Sequence, residues 1–196
     1  MPLLKKEPDT FPATVFDSSV EESPWWVAHV RSRQEKALAR YLRPAGVAHY
    51  LPQREHQVRR AGRRFVSFLP LFPGYLFFRG NPSDRLTALR SNLIVAVLEV
   101  ANQELLAGEL LQLHLLQSAG ASMTLCEPLA AGDAVRIIEG PFQGYVATVT
   151  RGGERPRLVV SISILRKSVA VEIDRDAVVP IAPGGAARRD VRSAVA

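Results

Sequence analysis

Ordered recurrence of apolar residues begins at Trp25, and from there the chain switches between a strand period of two and a helical period near 3.6. WWVAHVR (25–31), aromatic and β-branched, predicts a strand. In SRQE, Ser32 and Glu35 are spaced as a capping box at a helix start. Ala37, Leu38, Tyr41, Leu42 and Ala45 carry that helix, and Pro44-Ala45-Gly46 closes it. VAHYLP (47–52) is a second strand. EHQVRR (55–60) and RRFVSFLP (63–70) flank Ala61-Gly62 and predict an exposed hairpin with arginines at its tip. GYLFFRG (74–80) predicts a buried strand. Asn81-Pro82-Ser83-Asp84 is a helix start, with Asn as cap and Pro at the first position. LIVAVLEV (93–100) follows as a strand and NQELLAGELLQLHLLQSA (102–119) as a leucine-rich helix. The pattern predicts an α+β domain over 24–119, an antiparallel sheet with helices on its faces.

The pattern changes after Ser118. Residues 120–131 carry few structure signals and suit a linker. Beyond them come only short β runs: DAVRII, GYVATVT, RLVVSIS, SVAVEI and AVVPI, separated by Gly and Pro. Five strands in about 50 residues imply a small all-β barrel over 132–182, because so small a sheet buries too little unless it curls. SISILRKSVAVEI (161–173) is rich in β-branched residues, which favours strands over a helical hairpin. The polar, aperiodic residues 1–23 predict a flexible leader, and 183–196 a disordered tail.

Composition narrows the class. Hydrophobic residues at 47% and charged residues at 22% are ordinary globular usage. The apolar runs fall short of the ~20 residues a bilayer span needs, and MPLLKKEPDTFP has no apolar core of a signal peptide. A lone cysteine, Cys126, forms no internal disulfide, so a reducing, cytoplasmic setting is expected. The net charge of +6 is concentrated: residues 25–64 hold ten Arg or Lys against Glu35 and Glu55, a net +8. That stretch predicts proximity to nucleic-acid phosphates. His29, His49, His56 and His114 have no ligand-like spacing, and no nucleophile elbow or phosphate-cradling loop occurs. No catalytic residue, metal or cofactor is expected.

Two motifs say more. LFPGYLFF (71–78) sets Phe72 and Tyr75 around a Pro73-Gly74 turn entering a central strand. GDAVRIIEGPFQGYVATV (132–149) opens a strand, turns at Gly140-Pro141-Phe142, and returns through Gly144, where a hairpin needs positive φ.

Together these motifs resemble the NusG family of transcription elongation factors, whose N-terminal (NGN) domain carries FPGY and whose C-terminal SH3-like barrel opens with a KOW motif. WWVAHVRSRQEKA resembles that domain's first strand and helix, and SVAVEIDRDAVVPI (168–181) the barrel's closing strands, so the likeness spans 25–181. The resemblance implies a monomeric, non-enzymatic protein that grips the clamp region of RNA polymerase through Trp25 or Trp26, Tyr41, Phe72, Pro73 and Tyr75. It places the hairpin residues Arg59, Arg60, Arg63 and Arg64 across the cleft, near upstream or non-template DNA. Clipping the cleft closed would suppress pausing or termination. The barrel's partner loop falls at Ile164, Leu165, Arg166 and Lys167, and in the family it meets Rho or a small-subunit ribosomal protein. Leu165-Arg166 stands where the general member commonly has Phe-Gly, which points to a specialised, operon-directed antiterminator, nucleoid-associated through transcription complexes. The alternatives are the housekeeping elongation factor and, in another class, a ribosome-associated KOW RNA-binding protein.

Overall fold

The computed structural model describes residues 6–60, 63–121, 123–126, 133–139, 143–144, 146–150, 157–172 and 178–180. The hairpin tip Ala61-Gly62, the turn Gly140-Pro141-Phe142 and the expected tail at 183–196 lie outside them.

The chain runs β1 (Thr10–Phe11), β2 (Trp25–Val30), α1 (Glu35–Leu42), β3 (Ala48–Tyr50), β4 (Gln53–Arg60), β5 (Arg63–Pro70), β6 (Tyr75–Arg79), α2 (Pro82–Arg90), β7 (Ile94–Leu98) and α3 (Gln103–Ser118). Five of these strands form an antiparallel sheet in the order β1-β3-β6-β2-β7, and β4 and β5 make a separate hairpin. The α+β character read from the pattern is thus present.

Register decides which side each residue faces. Trp25 lies opposite Arg79, Val27 opposite Phe77 and His29 opposite Tyr75. Trp25, Val27 and Phe77, joined by Tyr50 of β3, pack with Leu106, Leu110 and Leu113 of α3. The alternate residues Ala28, Val30, Leu76 and Phe78 pack with Leu38, Ala39 and Leu42 of α1 and Ala88 of α2. Strand alternation and the helical i, i+4 stripe therefore meet across both faces. Each fully buried leucine or phenylalanine contributes about 1.5–3 kcal/mol, so this two-sided burial dominates the domain's stability. The two tryptophans part here: Trp25 is wholly buried, whereas Trp26, on the other face, is half-buried and donates its indole N–H to Gly80 O at 3.0 Å.

Two helix starts contrast. Asn81 caps α2 as expected, accepting from Ser83 N and Asp84 N while Asp84 answers with its own carboxylate. The capping box expected at Ser32 and Glu35 does not form. Arg33 is left-handed (φ 63), Gln34 occupies the cap without a side-chain bond, and Glu35 Oε1 instead accepts from Gly74 N at 2.6 Å. A loop 39 residues away has claimed the carboxylate.

The expected free leader is also corrected from Lys6 onward. Thr10 and Phe11 pair with Tyr50 and His49, and Val15 is buried in the core. Phe16 stacks on His114 at 4.8 Å and meets the edge of Tyr50 at 5.2 Å. Arg79, 3% exposed, holds the segment: its guanidinium donates to the carbonyl oxygens of Val15, Ser18, Ser19 and Ser23 at 2.7–3.1 Å and lies over the Trp25 ring. These are tertiary bonds, invisible to local pattern.

Beyond α3, the strands β8 (Met123–Cys126), β9 (Asp133–Ile137), β10 (Val146–Thr150), β11 (Arg157–Ile162), β12 (Lys167–Glu172) and β13 (Val178–Pro180) form one antiparallel sheet ordered β13-β9-β10-β11-β12-β8. Strand β8 corrects the linker expectation, since Met123–Cys126 pairs with β12. Gly144 adopts φ +89 and its N–H donates to Ile137 O at 2.7 Å, the tight return its position requires. Helix α3 is leucine-rich because it works on two sheets: Leu106, Leu110 and Leu113 join the first core, and Leu116 joins Val135, Ile137, Val160 and Val171.

His49, on the α1 side, is completely buried, and Val47 O accepts from its Nδ1 at 2.9 Å. Burial lowers its pKa, outweighing the upward pull of the Val47 bond. A folded value below the unfolded value of about 6.5 means the stabilisation is complete above pH 6.5 and is lost as pH falls from there through the folded pKa. Thermal melting should therefore worsen between pH 7 and 5, and His49→Gln should flatten that slope; an unchanged slope would disprove the assignment.

Candidate functional site

The anchors expected at the polymerase surface divide into three groups. Trp25 and Phe72, 0% and 2% exposed, are core residues and present no surface. Phe72 packs edge-on to Phe77 at 6.0 Å. Tyr41, 40% exposed, and Trp26 lie on the α1–α2 side of the sheet, away from the others. Pro73 is exposed and Tyr75 half-buried. Those two remain together.

Their neighbour, His29, belongs to no motif. It stacks on Tyr75 with ring centroids 5.3 Å apart and planes inclined by 25°. It is half-buried, and Ala96 beside it on β7 is exposed. The signal for it lies in the period-two pattern, since His29 shares its face with Trp25 and Val27. The turn below this pair is rigid: Gly74 takes φ +84, its N–H is held by Glu35, and its carbonyl accepts from Val30 N at 2.8 Å. His29, Pro73 and Tyr75 thus form a small aromatic platform where the α3-side core reaches solvent. Such a surface has little rotamer freedom left to lose on binding.

The hairpin carries the basic charge. Its register sets Arg59 opposite Arg64 and Arg60 opposite Arg63, and Arg59, Arg63 and Arg64 are exposed. Like charges directly opposite on a ladder are destabilising, a cost that a bound polyanion removes. Its base is closed by Leu71 N donating to Pro52 O at 2.7 Å.

The expected partner loop is turned inward. Ser163–Leu165 form a single 3-10 turn, Arg166 follows in the left-handed region (φ 48), and Leu165 is buried in the core that holds the α3 leucines. Ser163 donates from both its N–H and its hydroxyl to the Glu109 carboxylate of α3. Ile164 and Lys167 are half-buried and Arg166 is exposed.

Residues 23–104, which hold β2 to β7 with the platform and the hairpin, match the model of the NusG family, described as transcription termination factor nusG. This segment is similar to the NusG family. The matched family is one of transcription factors, a non-enzymatic class. Among solved structures, Thermotoga maritima NusG, described under its domain interaction, is 19% identical with a TM-score of 0.45, over 82% of this chain and 98% of that one. Two conformations of the MjSpt4:Spt5 complex are 15% identical, with TM-scores of 0.29 and 0.30, over 80% of this chain and 97% and 96% of theirs. No curated protein matches. Among the described residues, no helix is long and apolar enough to cross a membrane.

Proposed function

We propose that this NusG-family chain binds RNA polymerase through the His29–Pro73–Tyr75 platform and bridges the DNA cleft with its arginine hairpin, suppressing pausing or termination. The observation that carries this is the platform itself: an aromatic surface on a fixed turn, within a domain matched by the family. Stacked rings and an exposed proline suit docking against an apolar helical surface such as the polymerase clamp. The hairpin arginines supply affinity for phosphate without sequence readout. A few kcal/mol of preference for the closed, elongating state would shift the polymerase population away from pauses.

The second sheet is the KOW barrel on this reading, with Ile164–Lys167 as its recruiting loop for Rho or a small-subunit ribosomal protein. With Leu165 packed among the α3 leucines and Ser163 bonded to Glu109, recruitment requires the sheet to leave α3. Leu165-Arg166 in that loop favours operon-directed antitermination over the housekeeping role. In transcription assays with purified core polymerase, the chain should lengthen transcripts through pause sites. Unaltered pausing at saturating protein would defeat the proposal.

A further inference from the structure

The leader runs along the edge of β3 and places one aromatic ring on each face of the sheet. Phe11, opposite His49 in the register, stacks on that ring with centroids 5.6 Å apart on the α1 side. Phe16 stacks on His114 of α3 at 4.8 Å on the other side. The backbone adds a tie between leader and chain, Leu51 N donating to Asp9 O at 2.7 Å.

The same segment braces the root of the arginine hairpin. Gln53, the first residue of β4 and 4% exposed, accepts from Glu7 N at 3.2 Å and donates to Glu7 O and Asp9 Oδ1, both at 2.8 Å. Its own carbonyl accepts from Gln117 Nε2 at 3.0 Å, and Gln117 Oε1 accepts from the Tyr50 hydroxyl at 2.9 Å. On the neighbouring strand, Lys6 lies over the Phe68 ring at 5.8 Å. The leader therefore holds both hairpin strands near where they leave the sheet.

The two clamped histidines suit this arrangement only when neutral. Val47 O takes the His49 Nδ1 proton, and the buried atoms His49 Nε2 and His114 Nδ1 have no hydrogen-bond partner among the described residues. A proton added at either atom becomes a buried donor with nothing to accept it, which favours an open strap where water accepts it. Burial accordingly lowers both pKa values. Arg43 of α1, paired with Glu7, lowers that of His49 further, while Asp9, paired with Lys6, offsets part of the effect at His114. Burial, helped by Asp9, holds the neighbouring Tyr50 phenol un-ionised. Strap stability is therefore complete above the open-state value of about 6.5 and is lost as pH falls through the lowered values.

We infer that the leader is an acid-released strap: proton uptake by His49 and His114 expels Phe11 and Phe16, frees residues 6–16 from β3 and leaves the hairpin root unbraced. Arg79 keeps the carbonyls of Ser18, Ser19 and Ser23, so the strap swings from a held base. The strap is a property of the free chain and stands or falls without the polymerase reading.

The test is hydrogen exchange followed by NMR on the full chain, corrected for intrinsic rates. Between about pH 7.5 and about pH 5, protection of the Leu51 and Val15 amides, and of Leu71 at the hairpin root, should fall about tenfold or more. Val30 and Arg31 in the sheet should keep theirs. The variant His49→Gln/His114→Gln should hold its protection across the range. Independently of how well glutamine fits, Phe16→Ala should raise the His114 pKa toward about 6.5, read from its ring protons, because strap and proton compete. Leu51 and Val15 still protected at the acid end would overturn the inference, as would an equal fall in the glutamine variant or an unmoved His114 titration. Leu71 protection that outlasts theirs would remove the brace, and a parallel fall at Val30 and Arg31 would replace strap release with global unfolding.

Discussion

Tyr75→Ala should weaken binding to core RNA polymerase roughly thirtyfold, about 2 kcal/mol, while leaving the domain's melting temperature close to that of the parent. The ring is half-buried and stacked on His29, so it already has its bound conformation and loses little entropy on docking. Removing it strips the platform without opening the core, because Phe72 and Phe77 beneath it stay in place. Phe72→Ala should behave in the opposite way. That ring is 2% exposed, and its truncation leaves a cavity costing about 3–5 kcal/mol, so the variant should melt early. The FPGY-type motif then divides into a supporting residue and a contacting one. Paired melting and affinity measurements on the two variants test this; a Tyr75→Ala chain that binds polymerase like the parent would remove the platform from the mechanism.

Arg79→Met should destabilise the N-terminal domain by about 3 kcal/mol or more and release the leader. The guanidinium is buried among four backbone carbonyl oxygens, with no carboxylate partner among the described residues, and it stacks on the Trp25 ring. Each buried acceptor left without a donor costs about 1–3 kcal/mol, and water entering a loosened leader recovers only part of that. At about 4–8 °C per kcal/mol for a domain of this size, melting should fall by more than about 10 °C. The amides of Val15, Asp17 and Ser23, bonded within the leader's turns, should lose hydrogen-exchange protection together. Arg79→Lys should restore little, since one ammonium with three donors cannot span four carbonyls. Retained melting temperature and retained protection in Arg79→Met would show that the leader is held by something else.

The elements that could be read from the chain are those whose order is local. The apolar alternation of β2, the Asn81-Pro82 start of α2 and the leucines of α3 each announce their structure within a few residues. What the pattern leaves open depends on distant partners. Trp25 and Trp26 are both aromatic, and only the pairing with β6 shows which faces α3. The leader looks polar and aperiodic because Arg79, more than fifty residues on, supplies its hydrogen bonds. Met123–Cys126 looks like linker because its strand character comes from pairing with β12. At the candidate site, Pro73 and Tyr75 are legible through their motif, whereas Phe72 follows the same motif inward and Trp25 turns inward from β2. His29 carries no motif, and parity with Trp25 and Val27 is the signal that finds it.

The proposed function requires the chain to bind RNA polymerase on its own. The most direct measurement is an equilibrium titration of the labelled full chain with purified core polymerase, run beside sedimentation with ribosomes. Saturable one-to-one binding to polymerase, with no co-sedimentation on ribosomes, is the expected result; tight ribosome association without polymerase binding would contradict it.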